Sequence, residues 1–544
     1  MPTEKVTPVS THAQTLAATS AFDILGPIMV GPSSSHTAGA LRCAQVAASL
    51  LEQRIVCVRF RLWNSFAHTY KGHGTDRALV AGILGLETDD ERIRDAFELA
   101  KQANLQYFFE EAGDDATVHP NTVDILMDDE GGNHAEVRGE SLGGGKIRIS
   151  RIDGVGVDVT GAYSTLFVAH RDAPGVLAAL TNLLAYAGAN IAFCRTYRME
   201  PGGQAFTVFE MDGAPDDAVL PMVRRLDHVD RATFIETPRS ETGLGPGITA
   251  PELFDDGKQL LETCTALHLS IGGVMAEREA CLVGEEQARA AMARVLEVMR
   301  IETNEPLSHP RRSLGGFIGG EGQLVFEGAE KWASALMGNV QTNAVARAMA
   351  VLERSAGMGV IVAAPTAGSA GVVPGCVLAL ADHLNASDEQ IFEALYCAAA
   401  IGMNIQTAAC VAGAEGGCQA EVGSAAAMAA AALTQLLDGT PQQALDASSL
   451  AISNLLGLVC DPIGGLVEVP CQTRNAIGVA AAFSSAQLVL SGISALVPFD
   501  EAVHTMSEVG HALPSSLRET ARGGLAATPT ARSLCAGCSA CNHN

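Results

Sequence analysis

The sequence predicts a multidomain α+β protein: a mixed α/β N-terminal block, a compact β-α-β-β-α-β unit, and a mostly α-helical C-terminal half. Three observations carry this. In the first block, Arg54 to Leu62 alternates, with Val56, Val58, Phe60 and Leu62 on one face of a strand, directly after an Ala-rich helical stretch from Ala40 to Glu52. In the middle, strand patterns at Thr165–Asp172, Gly188–Tyr197, Gln204–Glu210 and Arg231–Ile235 interleave with helical patterns at Val176–Tyr186 and Asp216–Leu226. The last half is rich in small residues at helical spacing, including an expected helix over Ala276–Arg300.

Composition narrows the partners. The net charge of −26 argues against nucleic acid or an anionic membrane as a binding surface. Hydrophobic residues make up 48% but aromatics only 5%, which suits close-packed helices better than an aromatic recognition face. The fourteen cysteines form no compact secreted framework. The N-terminus lacks a basic start and apolar run, so a reducing, cytoplasmic setting is expected, where clustered cysteines read as metal or catalytic sites before disulfides. Asn475 to Phe499 is uncharged and long enough to span a bilayer, but Ser484, Ser485, Gln487, Ser491, Gly492 and Ser494 interrupt it. A buried core helix breaking near Gly492 is the expectation.

In chain order, residues 1–20 form a polar leader expected to be disordered, and 21–155 the first domain. Within it, Gly31-Pro-Ser-Ser-Ser-His-Thr-Ala-Gly39 opens a helix with more hydroxyls than one N-cap needs, which favours anion binding over simple capping. Lys71-Gly-His-Gly-Thr-Asp76 gathers polar residues on a glycine-loosened turn ahead of a helix expected from Arg77, with a solvated loop as the plain alternative. Ser141-Leu-Gly-Gly-Gly-Lys146 precedes a strand over Ile147–Ile152 and lacks the ending of a nucleotide-binding P-loop. Residues 160–237 hold the β-α-β-β-α-β unit, a ferredoxin-like order, with a hairpin at Pro201-Gly-Gly203. It resembles an ACT domain, notably at Asp172-Ala-Pro-Gly175, and the resemblance implies a regulatory role. A Gly/Pro linker spans 238–251, the helical domain 252–527, and a Cys-rich tail 528–544.

Three cysteines of the helical domain, Cys418, Cys460 and Cys471, sit beside Gly, Pro and Asp. Any one alone reads most simply as a buried small hydrophobe, whereas three thiolates on turns suit an iron–sulfur cluster. Together with the Ser-rich and Lys-Gly-His motifs, Ala364-Pro-Thr-Ala-Gly-Ser-Ala-Gly371, Gly417-Cys-Gln-Ala-Glu421 and Arg518-Glu-Thr-Ala-Arg-Gly-Gly-Leu525, the chain resembles the iron–sulfur-dependent L-serine dehydratases, with a beta chain carrying an ACT domain fused to an alpha chain. The resemblance implies a 4Fe–4S cluster on Cys418, Cys460 and Cys471, with Cys535, Cys538 or Cys541 as an open choice for a fourth ligand. It implies elimination of water from L-serine to give pyruvate and ammonia without pyridoxal phosphate. His73 and Thr75 are implied at the active site, with His73 the candidate base because imidazole titrates near neutral pH. Ser33, Ser34, Ser35, His36, Thr37, Lys71 and Ser369 are implied around the substrate. A homodimer and activation by a monovalent cation such as K+ are further expectations. A cysteine desulfidase and a non-catalytic amino-acid sensor are the competing readings.

Overall fold

The computed structural model describes residues 19–538, apart from 161–162, 199, 212, 214, 217 and 236–252. The expected leader, linker, Cys541 and the chain end therefore lie wholly or largely outside the described residues. In chain order the strands are β1 (Ile28–Val30), β2 (Ile55–Trp63), β3 (Gln106–Gly113), β4 (Asn121–Asp129), β5 (His134–Gly143), β6 (Lys146–Ile152), β7 (Val155–Val159), β8 (Ser164–Arg171), β9 (Ile191–Arg198), β10 (Gln204–Met211), β11 (Val229–Ile235) and β12 (Val360–Val362).

The alternation read over Arg54–Leu62 becomes β2, whose Val58, Phe60 and Leu62 are fully buried. It lies inside a six-stranded sheet ordered β3-β2-β4-β5-β6-β7, parallel only between β2 and β3. The helix Ala40–Ser49 packs on this sheet, and Thr75–Ile83 packs against that helix. The helix expected from Arg77 begins two residues earlier. Gly74, in the left-handed region at φ +70°, turns the chain so that Thr75 is already helical, and a short extra helix, Asn64–Thr69, fills the preceding stretch.

The middle unit is the expected β-α-β-β-α-β, with sheet order β11-β8-β10-β9, antiparallel throughout. Both faces of its sheet are covered. Leu166, Val168, Phe209 and Met211 pack under the helices Val176–Tyr186 and Val219–Val223. Phe167, Ala169, Phe206 and Val208 on the opposite face join the core of the first domain. Ion pairs Arg231–Asp153 and Arg224–Glu52, each 2.8 Å, fasten the same junction.

The C-terminal half is a helical bundle around Ser424–Leu436, in which Ala425 through Leu433 are all buried. A helix surrounded on all sides needs small side chains to let its neighbours approach. Those neighbours are Asp388–Ala408, Pro441–Ser453, Cys471–Leu490 and Val372–Leu384. Two sequence expectations change. The helix over Ala276–Arg300 is two, Ile271–Val283 and Glu285–Ser308, parted at Gly284 with φ +90°. The apolar segment after Asn475 does end before Gly492, but the helix Cys471–Leu490 buries only one stripe and leaves Ile477 57% exposed. Among the described residues, the one helical stretch long and apolar enough to cross a membrane is 367–384, whose Val372, Val373 and Val377 lie in the bundle core.

The first domain and the bundle share one small sheet. β1 pairs antiparallel with β12, Ile28 opposite Val362 and Val30 opposite Val360. Glu302, fully buried, accepts a 2.7 Å hydrogen bond from the Val362 amide, and burial raises its carboxyl well above the usual range. Close backbone contact also sets the bundle's spacing. A Cβ on Gly371 would stand 2.1 Å from the Ala348 carbonyl oxygen on the neighbouring helix. Gly371→Val should therefore destabilise the bundle by about 1–3 kcal/mol, the usual cost of overpacking. It should lower the thermal midpoint followed by circular dichroism, and an unchanged midpoint would contradict this packing.

Candidate active site

The Ser-rich turn follows β1. Ser33 caps it, its Oγ accepting from the His36 amide at 3.2 Å, and residues 34–39 wind as a π-turn into the helix Ala40–Ser49. Such widened turns recur where side chains must be re-aimed at a function. Here the turn aims His36 inward. Its Nδ1 lies 3.2 Å from Ser33 Oγ and 3.0 Å from Ser35 Oγ, and its Nε2 lies 3.0 Å from Ser65 Oγ. Thr37 donates its hydroxyl to the His73 carbonyl at 3.3 Å, joining the turn to the Lys-Gly-His motif.

His73 stacks on His36 with ring centroids 4.4 Å apart. Its Nδ1 is 3.2 Å from the Thr69 carbonyl oxygen, which can only accept, so Nδ1 carries the proton and Nε2 keeps its lone pair. Nε2 is buried with no hydrogen-bond partner, and faces Glu519 Oε1 across 3.8 Å. Burial lowers the His73 pKa from 6.5 to about 4, against a smaller opposing effect of the Thr69 hydrogen bond. The imidazole thus does not titrate near neutrality, as an exposed one would. It stays neutral. His36 is lowered well below 6.5 by burial and by His73 beside it. The Thr75 hydroxyl is also buried without a partner. Lys71 sits over the Tyr70 ring at 5.5 Å.

The Lys-Gly-His loop docks on the loop between Cys460 and Cys471. A Cβ on Gly72 would meet Leu466 Cδ2 at 2.7 Å, and one on Gly74 would meet Met358 Sδ at 2.9 Å. The three cysteines come together behind it. Cys418, Cys460 and Cys471 are all buried and unpaired. Cys418 precedes a second π-turn, residues 419–423. Burial raises all three thiols, Cys418 to about 12, and Cys460 is pushed further by Glu519, Glu421, Cys418 and Cys471. Cys418 and Cys460 share a small apolar cluster with Val422, while Cys471 packs with Leu352 and Val467. Arg474 opposes the rise at Cys418 and Cys471, while its own guanidinium is fixed by Asp461 at 2.7 Å and the Val459 carbonyl at 2.8 Å. Asp461 also accepts from the Leu525 amide at 2.6 Å, and Gly524, at φ +59°, leaves room for it: a Cβ there would stand 2.2 Å from Asp461 Oδ2.

Ser369 does not project into open space. Its hydroxyl donates to the Ala364 carbonyl at 3.3 Å and lies 3.2 Å from Thr366 Oγ1, closing its own turn. Thr366 is the member of that turn that reaches inward, donating to Glu421 at 2.8 Å. In the tail, Cys538 and Cys535 pack with Leu466 and Phe317, and the Cys538 thiol is 3.7 Å from the Gly315 carbonyl oxygen.

Two carboxylates were not singled out as site residues from sequence. Glu421 and Glu519 lie inside quoted motifs, but nothing in their spacing brings them together. Glu519 stands at φ +57°, a strained region for a residue with a Cβ, held there by its amide donating to the Cys460 carbonyl at 2.8 Å. Burial, reinforced by the charge on Glu421, pushes Glu519 up to about 8. That strained backbone is the signal a sequence does not print.

Residues 250–526 match the family described as serine dehydratase alpha chain, 20–151 the serine dehydratase beta chain, and 164–228 the ACT domain. The chain belongs to the serine dehydratase family. The L-serine dehydratase of Streptomyces coelicolor is 32% identical over 526 residues, 94% of this chain and 98% of that protein. The probable L-serine dehydratase alpha chain of Bacillus subtilis is 42% identical over 284 residues, 52% of this chain and 94% of its own. The L-serine dehydratase beta chain of Peptoniphilus asaccharolyticus is 41% identical over 217 residues, 40% of this chain and 98% of its own. This serine dehydratase-family chain thus carries in one polypeptide what those two relatives carry as separate chains.

The histidine makes a stability prediction. Above pH 6.5 His73 is neutral folded or unfolded. Below it, the unfolded chain takes up a proton that the folded site refuses until about pH 4, so stability falls between those values. His73→Asn should lose this part of the dependence. Denaturation midpoints measured from pH 7 to 4 should fall less steeply for the variant than for the parent, and parallel curves would refute the assignment.

Proposed function

We propose that the protein is an L-serine ammonia-lyase, converting L-serine to pyruvate and ammonia. The observation that carries the reading is the junction where the loop of the neutral, buried His73 packs on the loop between Cys460 and Cys471, with Glu519 3.8 Å from His73 Nε2 and bonded through its amide to the Cys460 carbonyl.

The thiol site fits an iron–sulfur cluster on its chemistry. The donors are three unpaired cysteines, soft ligands of the kind such clusters take, with a guanidinium near two of them. Among the described residues, the only three metal-binding atoms within 4.8 Å of one another belong to His36, His73 and Glu519, so the sulfurs are spread wider than a single ion requires. Cys418, Cys460 and Cys471 would hold the cluster, giving up the protons that burial otherwise keeps on them. When bound, a 4Fe–4S cluster supplies a Lewis-acidic iron that weakens the serine C–O bond.

The chain supplies the rest. His73 Nε2, with its lone pair fixed by the Nδ1 hydrogen bond, takes the Cα proton. The burial that lowers its pKa also excludes water from the abstraction. The Ser33–Thr37 turn positions the histidine pair and offers hydroxyls to the substrate's polar groups. The ACT unit, whose sheet shares the first domain's core, is the regulatory part of this reading.

Anaerobic reconstitution with iron and sulfide should yield pyruvate from L-serine and absorbance near about 400 nm from thiolate-bound iron. Cys418→Ser, Cys460→Ser and Cys471→Ser should each abolish both. Full activity in iron-free protein would overturn the reading, and pyruvate from L-cysteine but not L-serine would replace it with a desulfidase.

A further inference from the structure

We propose that residues 517–525 are a gating strap over the active site, clasped shut by Arg522 on Asp114 of the first domain, and that this strap lifts to admit substrate. What enters, a small amino acid, rests on the lyase reading; how it enters rests on the fold.

The site is closed. His73 is 0% exposed, and Cys418, Cys460 and Cys471 are no more than 8% exposed, so a substrate reaches them only if a covering element moves. Most of the cover is fixed. The Lys-Gly-His loop presses Gly72 against Leu466, itself fully buried. Glu468 pins the cysteine loop, accepting from Ser313 Oγ at 2.7 Å and from the Gly315 and Phe317 amides at 2.6 and 3.0 Å. The strap differs from both. No residue from 511 to 525 is buried, so its displacement uncovers little apolar core.

The strap runs through the cleft between the two halves. On the bundle side it is tied at both ends. The Leu517 carbonyl accepts from the Cys460 amide at 2.9 Å, and the Leu525 amide donates to Asp461 at 2.6 Å. Between these ties Glu519 stands 3.8 Å from His73 Nε2. A Cβ on Gly465 would meet Thr69 Cγ2 at 3.2 Å and Ala521 Cβ at 4.0 Å, so strap, cysteine loop and the flank of the histidine motif converge there. Toward the first domain the hold is slighter. Arg522 donates to Asp114 Oδ2 at 3.1 Å, and His68 Nε2 donates to Oδ1 at 2.7 Å. The two donors share one carboxylate and stand 3.1 Å apart, nitrogen to nitrogen. All three side chains are 41–56% exposed, and exposed ion pairs hold weakly. Glu519 and Ala521, at φ +57° and +55°, occupy a region unfavourable for residues with a Cβ. The closed strap is thus strained and kept in place by a weak clasp.

Labelling of the full-length, cluster-free chain with iodoacetamide, followed by peptide mass spectrometry, tests this. Cys460 is bonded to the strap through both its amide and its carbonyl, so its thiol should react chiefly when the strap lifts. Cys376 and Cys397, 0% exposed in the bundle core, report opening of the whole domain. Arg522→Ala should raise the rate at Cys460 relative to Cys397 about threefold, the scale an exposed ion pair can hold shut, and Arg522→Lys should recover part of the protection. In the parent protein the same ratio should rise as salt is increased between about 0.05 and 0.5 M, and Arg522→Ala should lose that response. An unchanged rate at Cys460 in Arg522→Ala, or a rise shared equally by Cys376 and Cys397, overturns the proposal. A ratio independent of salt in the parent overturns it even where the variants fail to fold. The measurement needs neither serine nor iron, so a failure of the lyase reading, seen as no pyruvate from reconstituted enzyme, is distinguished from a failure of the strap.

Discussion

The pairing of β1 with β12 is the constraint on which the site depends. Three residues from near the N-terminus are hydrogen-bonded to three residues more than 300 positions later, with Glu302 bracing the back of the pair. The Ser-rich turn leaves β1 directly. Met358, just ahead of β12, sits under Gly31 and Gly74, so both N-terminal motifs rest on the same bundle residue. That pair, with the packing of Gly72 on Leu466, brings the histidine motifs and the cysteine loop to one junction.

Electrostatics at the junction follows from burial. Two imidazoles, three thiols and two glutamates occupy one region with Arg474 as its main positive group. In such surroundings each group moves toward its neutral form: histidines lose protons, thiols and carboxyls keep them. Burial thereby moves each of these groups in the same sense, against carrying charge.

Much of this was readable before the structure. The alternation at Val56–Leu62 and the order of the ACT unit depend on local periodicity, which survives into β2 and into the sheet β11-β8-β10-β9. The cysteines and histidines stood out through the motifs that carry the family resemblance; alone, each cysteine read as a buried small hydrophobe and the Lys-Gly-His run as a loop. What stayed hidden is long-range or conformational. Glu519 looks like any surface glutamate until φ +57° and a bond to Cys460 turn it inward. Ser369 looks like a pocket hydroxyl until its turn closes on it. The break at Gly284 and the early start at Thr75 depend on glycines in left-handed or extended geometries, which spacing alone cannot separate from tolerated helical glycines.

The contact between Gly72 and Leu466 has a further consequence because both sides belong to one chain. In the relatives matched only by half, the corresponding halves are separate polypeptides, and a site built across them must assemble by a bimolecular encounter. Here the tether holds each half near the other at an effective concentration on the order of millimolar, independent of how dilute the protein is. Site integrity should then be insensitive to dilution, and the two halves must be made in equal number. The junction itself need not be sticky enough to recruit a partner, which leaves its surface free to be shaped by chemistry.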